Sequence, residues 1–275
     1  MSAEALTLRT PRIAVLDHAY RGQPVLAAVG ILLLLATAPT LLAFGLDQRL
    51  LNGINVWTKP LKFEVSLALH LLTVAWLMLF LPAEIRSTRL VRGLAIAMAT
   101  AALFEIAYIA LQASRGEASH FNRTTLVTNL MYALMGFGAL VLVGTSSAIG
   151  GLILRHGQRQ QPIALAAGLG LILGGVLGGI TGAYMSAQTG HWVGGVQNDA
   201  GGLPIFGWSR LGGDLRVSHF FGLHLMQVLP ITAWLGARLL PERRQKPAIL
   251  VVAALGSLLA VATLAQAILG RPFLV

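Results

Sequence analysis

The chain has 275 residues, of which 56% are hydrophobic and only 11% charged, with a net charge of +10 and a mean hydropathy of +0.74. Soluble domains are about a quarter charged, so the composition excludes a soluble enzyme and marks an all-α integral membrane protein. With no cysteine, disulfides, thiolate metal sites, iron–sulfur clusters and thiol nucleophiles are excluded too.

Residues 1–23 read as a short cytoplasmic arm. Ala5, Leu6, Leu8, Ile13, Val15 and Leu16 suggest an interfacial helix, which Pro11 interrupts. Seven apolar stretches follow, each long enough to span as a helix: Pro24–Gly45, Leu61–Leu81, Gly93–Gln112, Thr125–Leu154, Pro162–Met185, Ser218–Leu240 and Ala248–Leu269. Lipid offers long, non-alternating apolar runs no other regular structure. Ala36-Thr37-Ala38 resembles a signal-peptide cleavage site, but Pro39 and the continuing apolar run oppose that reading.

The loops predict an orientation. Arg9, Arg12, Arg21, Arg86, Arg89, Arg92, Arg155, Arg159, Arg238, Arg243, Arg244 and Lys246 fall on one side, which carries a net +8 against +2 on the other. The positive-inside rule puts that side, and the N-terminus, in the cytoplasm and the C-terminus outside. The positive charge belongs to short loops, so no nucleic-acid partner is implied.

A parallel 3+1+3 repeat is expected. Trp57-Thr58-Lys59 and Trp208-Ser209-Arg210 precede the second and sixth spans, and Ala75-Trp76-Leu77 and Ala233-Trp234-Leu235 lie near their ends. Repeats of this kind place a functional site at their interface. In the fifth span Gly170, Gly174, Gly178 and Gly182 form a face suited to close helix packing.

Polar residues concentrate in the outer half. The loop 186–217 is long and holds two tryptophans, an expected ordered cap over the heptahelical domain 24–275. His70 and His224 lie roughly 13 Å and 9 Å into their spans at 1.5 Å per residue. With Glu105 they are intramembrane ionisable groups, which mark a functional site by default. Lys62, Ser66, His70 and Thr73 share one helical face; Glu105, Tyr108 and Gln112 share another. His219 is expected to point into the cap, and Glu64 to pair with a loop arginine.

Retinal chemistry is excluded because no lysine lies between Ala248 and Leu269. H-E-x-x-H, P-loop and G-x-S-x-G motifs are absent. Glu117-Ala118-Ser119-His120 is the single Glu-x-x-His and falls in a loop, which disfavours a di-iron site. No metal site is assigned beyond haem. Three readings stay open. The favoured one is a histidine-coordinated cofactor, b-type haem, or a redox substrate such as a quinone. His70, His224, His219 and His120 would hold it, and Glu105, Asp214 and Arg216 would handle protons or catalysis. The others are a proton-coupled small-solute transporter and a lipid-headgroup enzyme. Trp57, Lys59, Lys62, Glu64, Tyr108, Asn129, Trp208 and Gln227 would contact the small molecule or lipid at the outer face.

Three segments carry a resemblance: Asn55-Val56-Trp57-Thr58-Lys59-Pro60-Leu61-Lys62-Phe63, Ser119-His120-Phe121-Asn122, and Gly213-Asp214-Leu215-Arg216-Val217-Ser218-His219-Phe220-Phe221-Gly222-Leu223-His224. In these the chain resembles a group of uncharacterised bacterial multi-pass membrane proteins. The resemblance implies a bacterial membrane protein and no particular activity; the cytoplasmic (inner) membrane is the expected location.

Overall fold

The computed structural model describes residues 13–158 and 160–274. Most of the expected N-terminal arm (with Ala5, Leu6, Leu8, Arg9, Pro11 and Arg12) and Arg159 lie outside the described residues. The long helices are α2 (Pro24–Leu46), α3 (Thr58–Leu77), α5 (Arg89–Arg115), α6 (Leu126–His156), α7 (Pro162–Ser186) and α10 (Glu242–Ile268). The shorter ones are α1 (Ile13–Gly22), α4 (Ala83–Arg86), α8 (Leu215–Leu223) and α9 (Leu225–Leu239). Six helices are long and apolar enough to cross a membrane, counting the single turn Met78–Phe80 with α3; the bent pair α8–α9 makes a seventh if it is one span.

Several expected boundaries shift, and the seventh span starts at Glu242, six residues before Ala248. The third span extends to Arg89 and Arg115, because Thr88 caps its first turn and Gly116, with φ 72°, closes its last. The sixth is broken: α8 and α9 meet at His224 with a bend of 43°. Pro230 lies six residues further on, and its missing N–H leaves the Met226 carbonyl without a helical donor. The bend seats backbone on the glycine face of α7. A Cβ at Gly170 would lie 2.8 Å from the Leu225 carbonyl oxygen, and one at Gly174 2.8 Å from that of Leu223. Only glycine allows that approach.

The helices pack in a chain: α2 on α3, α3 on α5, α5 on α6, α6 on α7, and α7 on α8 and α9, which α10 flanks. α1 packs against α2 and α3. The core between them is built from Leu26, Leu71, Leu77, Met98, Ile149 and Leu171. α3 and the α8–α9 pair do not pack along their length.

The connections sort to two ends. The turn at Leu79–Pro82 shares a small cavity with Gly157, Gln158 and Gln161, and Lys246 Nζ donates to Gln160 Oε1 at 3.0 Å. This is the arginine-rich end. At the other end a small hairpin pairs β1 (Leu50–Leu51) with β2 (Ile54–Asn55). Its turn residues Asn52 and Gly53 have φ 53° and 80°, the signature of a tight two-residue hairpin turn. The Asn52 carbonyl accepts from Asp199 N–H at 2.9 Å, joining the hairpin to the 187–214 segment. Within that segment β3 (Trp192–Val193) pairs with β4 (Gly213–Asp214).

Candidate functional site

The cap at this end is ordered by one clasp. Asp214 caps α8, and Ser209 N–H donates to its Oδ2 at 2.9 Å. Arg216 grips Asp214 Oδ1 and Oδ2 at 2.9 and 2.7 Å, and also donates to Asp199 Oδ1 at 2.9 Å and the Gly207 carbonyl at 2.7 Å. His191 Nε2 meets the same Asp199 oxygen at 3.1 Å and its ring lies 3.9 Å from that of Trp192. Burial holds His191 below the ordinary histidine range, and the Asp199 hydrogen bond opposes that only in part. His120 is held well below the range, first by burial and then by Lys59 and His191 nearby. It sits between Phe63 and Tyr132, with Ser119 Oγ 3.2 Å from its Nδ1.

Aromatic rings close the cap over α8. Phe206 stacks on Trp208 at 4.4 Å, and both meet Phe220 edge-on. Beside Phe206, Ile205 is 87% exposed at φ 68°, a strained conformation for a β-branched residue. A second clasp lies at the hairpin. Arg49 and Trp57 Nε1 bind Asp47, and Arg49 reaches the Ser114 carbonyl at 3.0 Å. The Arg49 hydrogen bond, then that of Trp57, holds the Asp47 carboxyl well below the usual range.

Beneath the cap the polar groups are sparsely paired. Lys62 Nζ donates to the Phe206 carbonyl at 2.8 Å. Lys59 lies 5.7 Å over the Phe63 ring and within electrostatic range of Glu105, Asp199 and Arg216. Glu105 is 3% exposed; its Oε1 has no hydrogen-bond partner and presses on Gly138 of α6, where a Cβ would be 2.9 Å away. Tyr108 is buried against Ile109 and Met135. Gln112 donates to Glu117 and the Ala118 carbonyl at 3.2 Å.

Deeper still, His70 Nε2 lies 3.0 Å from Ser146 Oγ, which is 2.9 Å from the Leu142 carbonyl. When the serine proton goes to that carbonyl, the usual back-bond of a helical serine, His70 Nε2–H donates to the serine. His224 Nδ1 lies 2.7 Å from the Phe220 carbonyl and must donate to it. The tautomers assigned in this way leave a lone pair on His70 Nδ1 and on His224 Nε2. The two imidazoles are within electrostatic range, and Gln227 Nε2 donates to Thr73 Oγ1 at 3.2 Å on the arginine-rich side of them.

Two expectations are corrected. His219 points away from the cap, into α7: its Nδ1 lies 3.2 Å from Thr181 Oγ1, where the small Gly182 leaves room. Glu64 pairs with no arginine: it is buried toward α2 with Thr40 Oγ1 2.7 Å from Oε1, and its Oε2 has no partner. Asn129 is exposed on α6, apart from the others. Among the described residues, no group of three or more His, Asp or Glu side chains is arranged to hold a metal ion.

The structure thus joins Asp214, Arg216, Lys62 and Trp208 in the cap, sets Lys59, Glu105 and His120 under it, and gathers His70, His224 and Gln227 further in. The partners Ser146, Gly138 and Thr40 escaped sequence reasoning, although Thr145-Ser146-Ser147 in mid-span was a visible polar interruption. No family model matches the chain, and neither a curated protein nor a solved structure matches it.

Proposed function

We propose that this is a multi-pass protein of the bacterial cytoplasmic membrane, N-terminus inside and C-terminus outside, that binds a hydrogen-bonding redox substrate in the outer half of the bilayer. The clustering of arginine-bearing turns opposite the cap supports the orientation. One observation carries the functional reading. His70 and His224 lie within electrostatic range of each other; His224 spends its Nδ1–H on the Phe220 carbonyl, His70 meets Ser146 through Nε2, and each has its other ring nitrogen uncommitted. Glu105 is the proton-handling group of the same end: a carboxyl so buried either carries a proton or relies on a nearby cation, here Lys59.

The same histidines bear on b-type haem. His224 suits ligation, since metal-bound histidines commonly donate their other nitrogen to a carbonyl. His70 has its Nε2 on Ser146 and would offer Nδ1, the nitrogen nearer the backbone and the more crowded one for an axial bond to a flat macrocycle, so a substrate held by hydrogen bonds is preferred. Proton-coupled solute uptake is the second reading, supported by the buried Glu105 with Lys59 in electrostatic range beneath the cap; the 3+1+3 repeat expected from the sequence would suit it. Headgroup chemistry has less support, because Arg216 and Asp214 spend their hydrogen bonds on the cap.

The test uses protein purified from haem-supplied cells. Its dithionite-reduced minus oxidised visible spectrum is expected to be flat. An organic extract is expected to contain a redox-active compound that the His70→Ala/His224→Ala double variant lacks. Haem bands lost in His224→Ala would overturn the substrate reading in favour of a cytochrome, and an extract without any such compound would also overturn it.

A further inference from the structure

The two imidazoles are closed off on three sides. Toward the cap, Lys62 ties α3 to the Phe206 carbonyl, under the stacked Phe206 and Trp208 rings. Toward the arginine-rich end, Gln227 bonds Thr73 and joins α9 to α3. Behind them Ser146 of α6 holds His70. The fourth side has no such closure: α3 and the α8–α9 pair do not pack there. α3 turns Ser66 outward between Val65 (51% exposed) and Leu69 (45% exposed), and His70 and His224 are both half-buried. With α3 read as a span, this side of the helix is turned toward the lipid chains.

We infer that the gap between α3 and α8–α9 is a side entrance from the bilayer. Its ligand is a lipid-soluble quinol whose two hydroxyls donate to His70 Nδ1 and His224 Nε2. The inference rests on the reading of His70 and His224 as a substrate site, and it adds the class of ligand and its route. With Ser146 donating to the Leu142 carbonyl, both uncommitted nitrogens are acceptors, and two acceptors select a molecule with two donors. The oxidised quinone offers only carbonyl oxygens and finds no donor on either neutral ring. The Phe220 ring, stacked on His224 at 3.9 Å, adds an aromatic wall for a flat head group. The apolar rim at Val65 and Leu69 suits an alkyl tail left in the lipid.

The test measures binding to the full chain in lipid nanodiscs with three probes: a decyl-tailed benzoquinol, its quinone and the tailless quinol. Each hydrogen bond is worth about 1 kcal/mol, roughly fivefold in affinity. The tailed quinol should therefore bind at least about fivefold tighter than its quinone. His70→Ala and His224→Ala should each cost about that factor. Ser66→Trp fills the entrance one helical turn from His70, so it should weaken the tailed quinol more than the tailless one. Equal binding of quinol and quinone would overturn the two-acceptor argument. Unchanged binding of the tailed quinol in Ser66→Trp would overturn the side entrance. If no quinol binds while the extract still holds a histidine-dependent redox compound, the ligand class is wrong and the substrate site stands.

Discussion

The cap clasp and the bundle interior handle the same residue types in opposite ways. In the cap, Asp214, Asp199, Arg216 and His191 satisfy one another within a few ångströms, and both carboxylates meet the same guanidinium. In the interior, Glu105 has an oxygen with no partner, and His70 and His224 each keep one ring nitrogen uncommitted. A buried charge is tolerated when it is paired, so the cap's charges serve order. The interior groups leave their capacity unspent, which is the arrangement expected of groups that meet a ligand. On the proposed reading, missing bonds and not density of charge mark the ligand site.

Substitutions can break that contrast. The largest effect is expected for Asp214→Ala: it leaves Arg216 without its main partner and removes the α8 cap, costing about 3–5 kcal/mol. Proteolysis of the 187–214 segment and a lower Tm would report it, and Arg216→Lys should fail to restore the bidentate grip. Thr40→Val, which removes the hydrogen-bond partner of buried Glu64, should cost about 1–3 kcal/mol in Tm terms. His224→Ala should cost less stability than either while weakening ligand binding about fivefold; a stability loss as large as that of Asp214→Ala would mean that the interior is also structural.

The cap should also loosen with acid. Folded His191 binds its proton less readily than an unfolded histidine of about 6.5. The cap is therefore fully stable above that pH and weakens as pH falls toward the lower folded value. Trp192 fluorescence should report the change through its contact with the His191 ring, and His191→Gln should flatten the profile. Smallest of all, Ile205→Gly should stabilise the cap by about 1 kcal/mol by relieving its left-handed backbone, read as slower proteolysis.

Much of this plan was legible in the sequence. Helix positions followed from runs of apolar residues that only a helix can carry through lipid, and the end-to-end sorting of the turns followed from their arginines. Intramembrane His70, His224 and Glu105 stood out for their cost. The bend at His224 was not legible, because it depends on how the carbonyls of Leu223 and Leu225 settle against Gly174 and Gly170. Nor was the direction of Glu64 or His219: one helical turn decides between solvent and a neighbouring hydroxyl, and Thr40 or Thr181 gives no periodic signal in an apolar run.

The β1–β2 hairpin has a mechanical consequence. Its Asn52 carbonyl holds Asp199, the carboxylate that Arg216 and His191 share, and Gly53 would strike Ala200 if it carried a side chain, 2.9 Å away. The turn is a spacer that sets the height of the roof above the helices. Lengthening it by one pair of residues would raise the roof while leaving every helix contact alone, making the clearance over Lys59 and Glu105 an adjustable dimension of the protein.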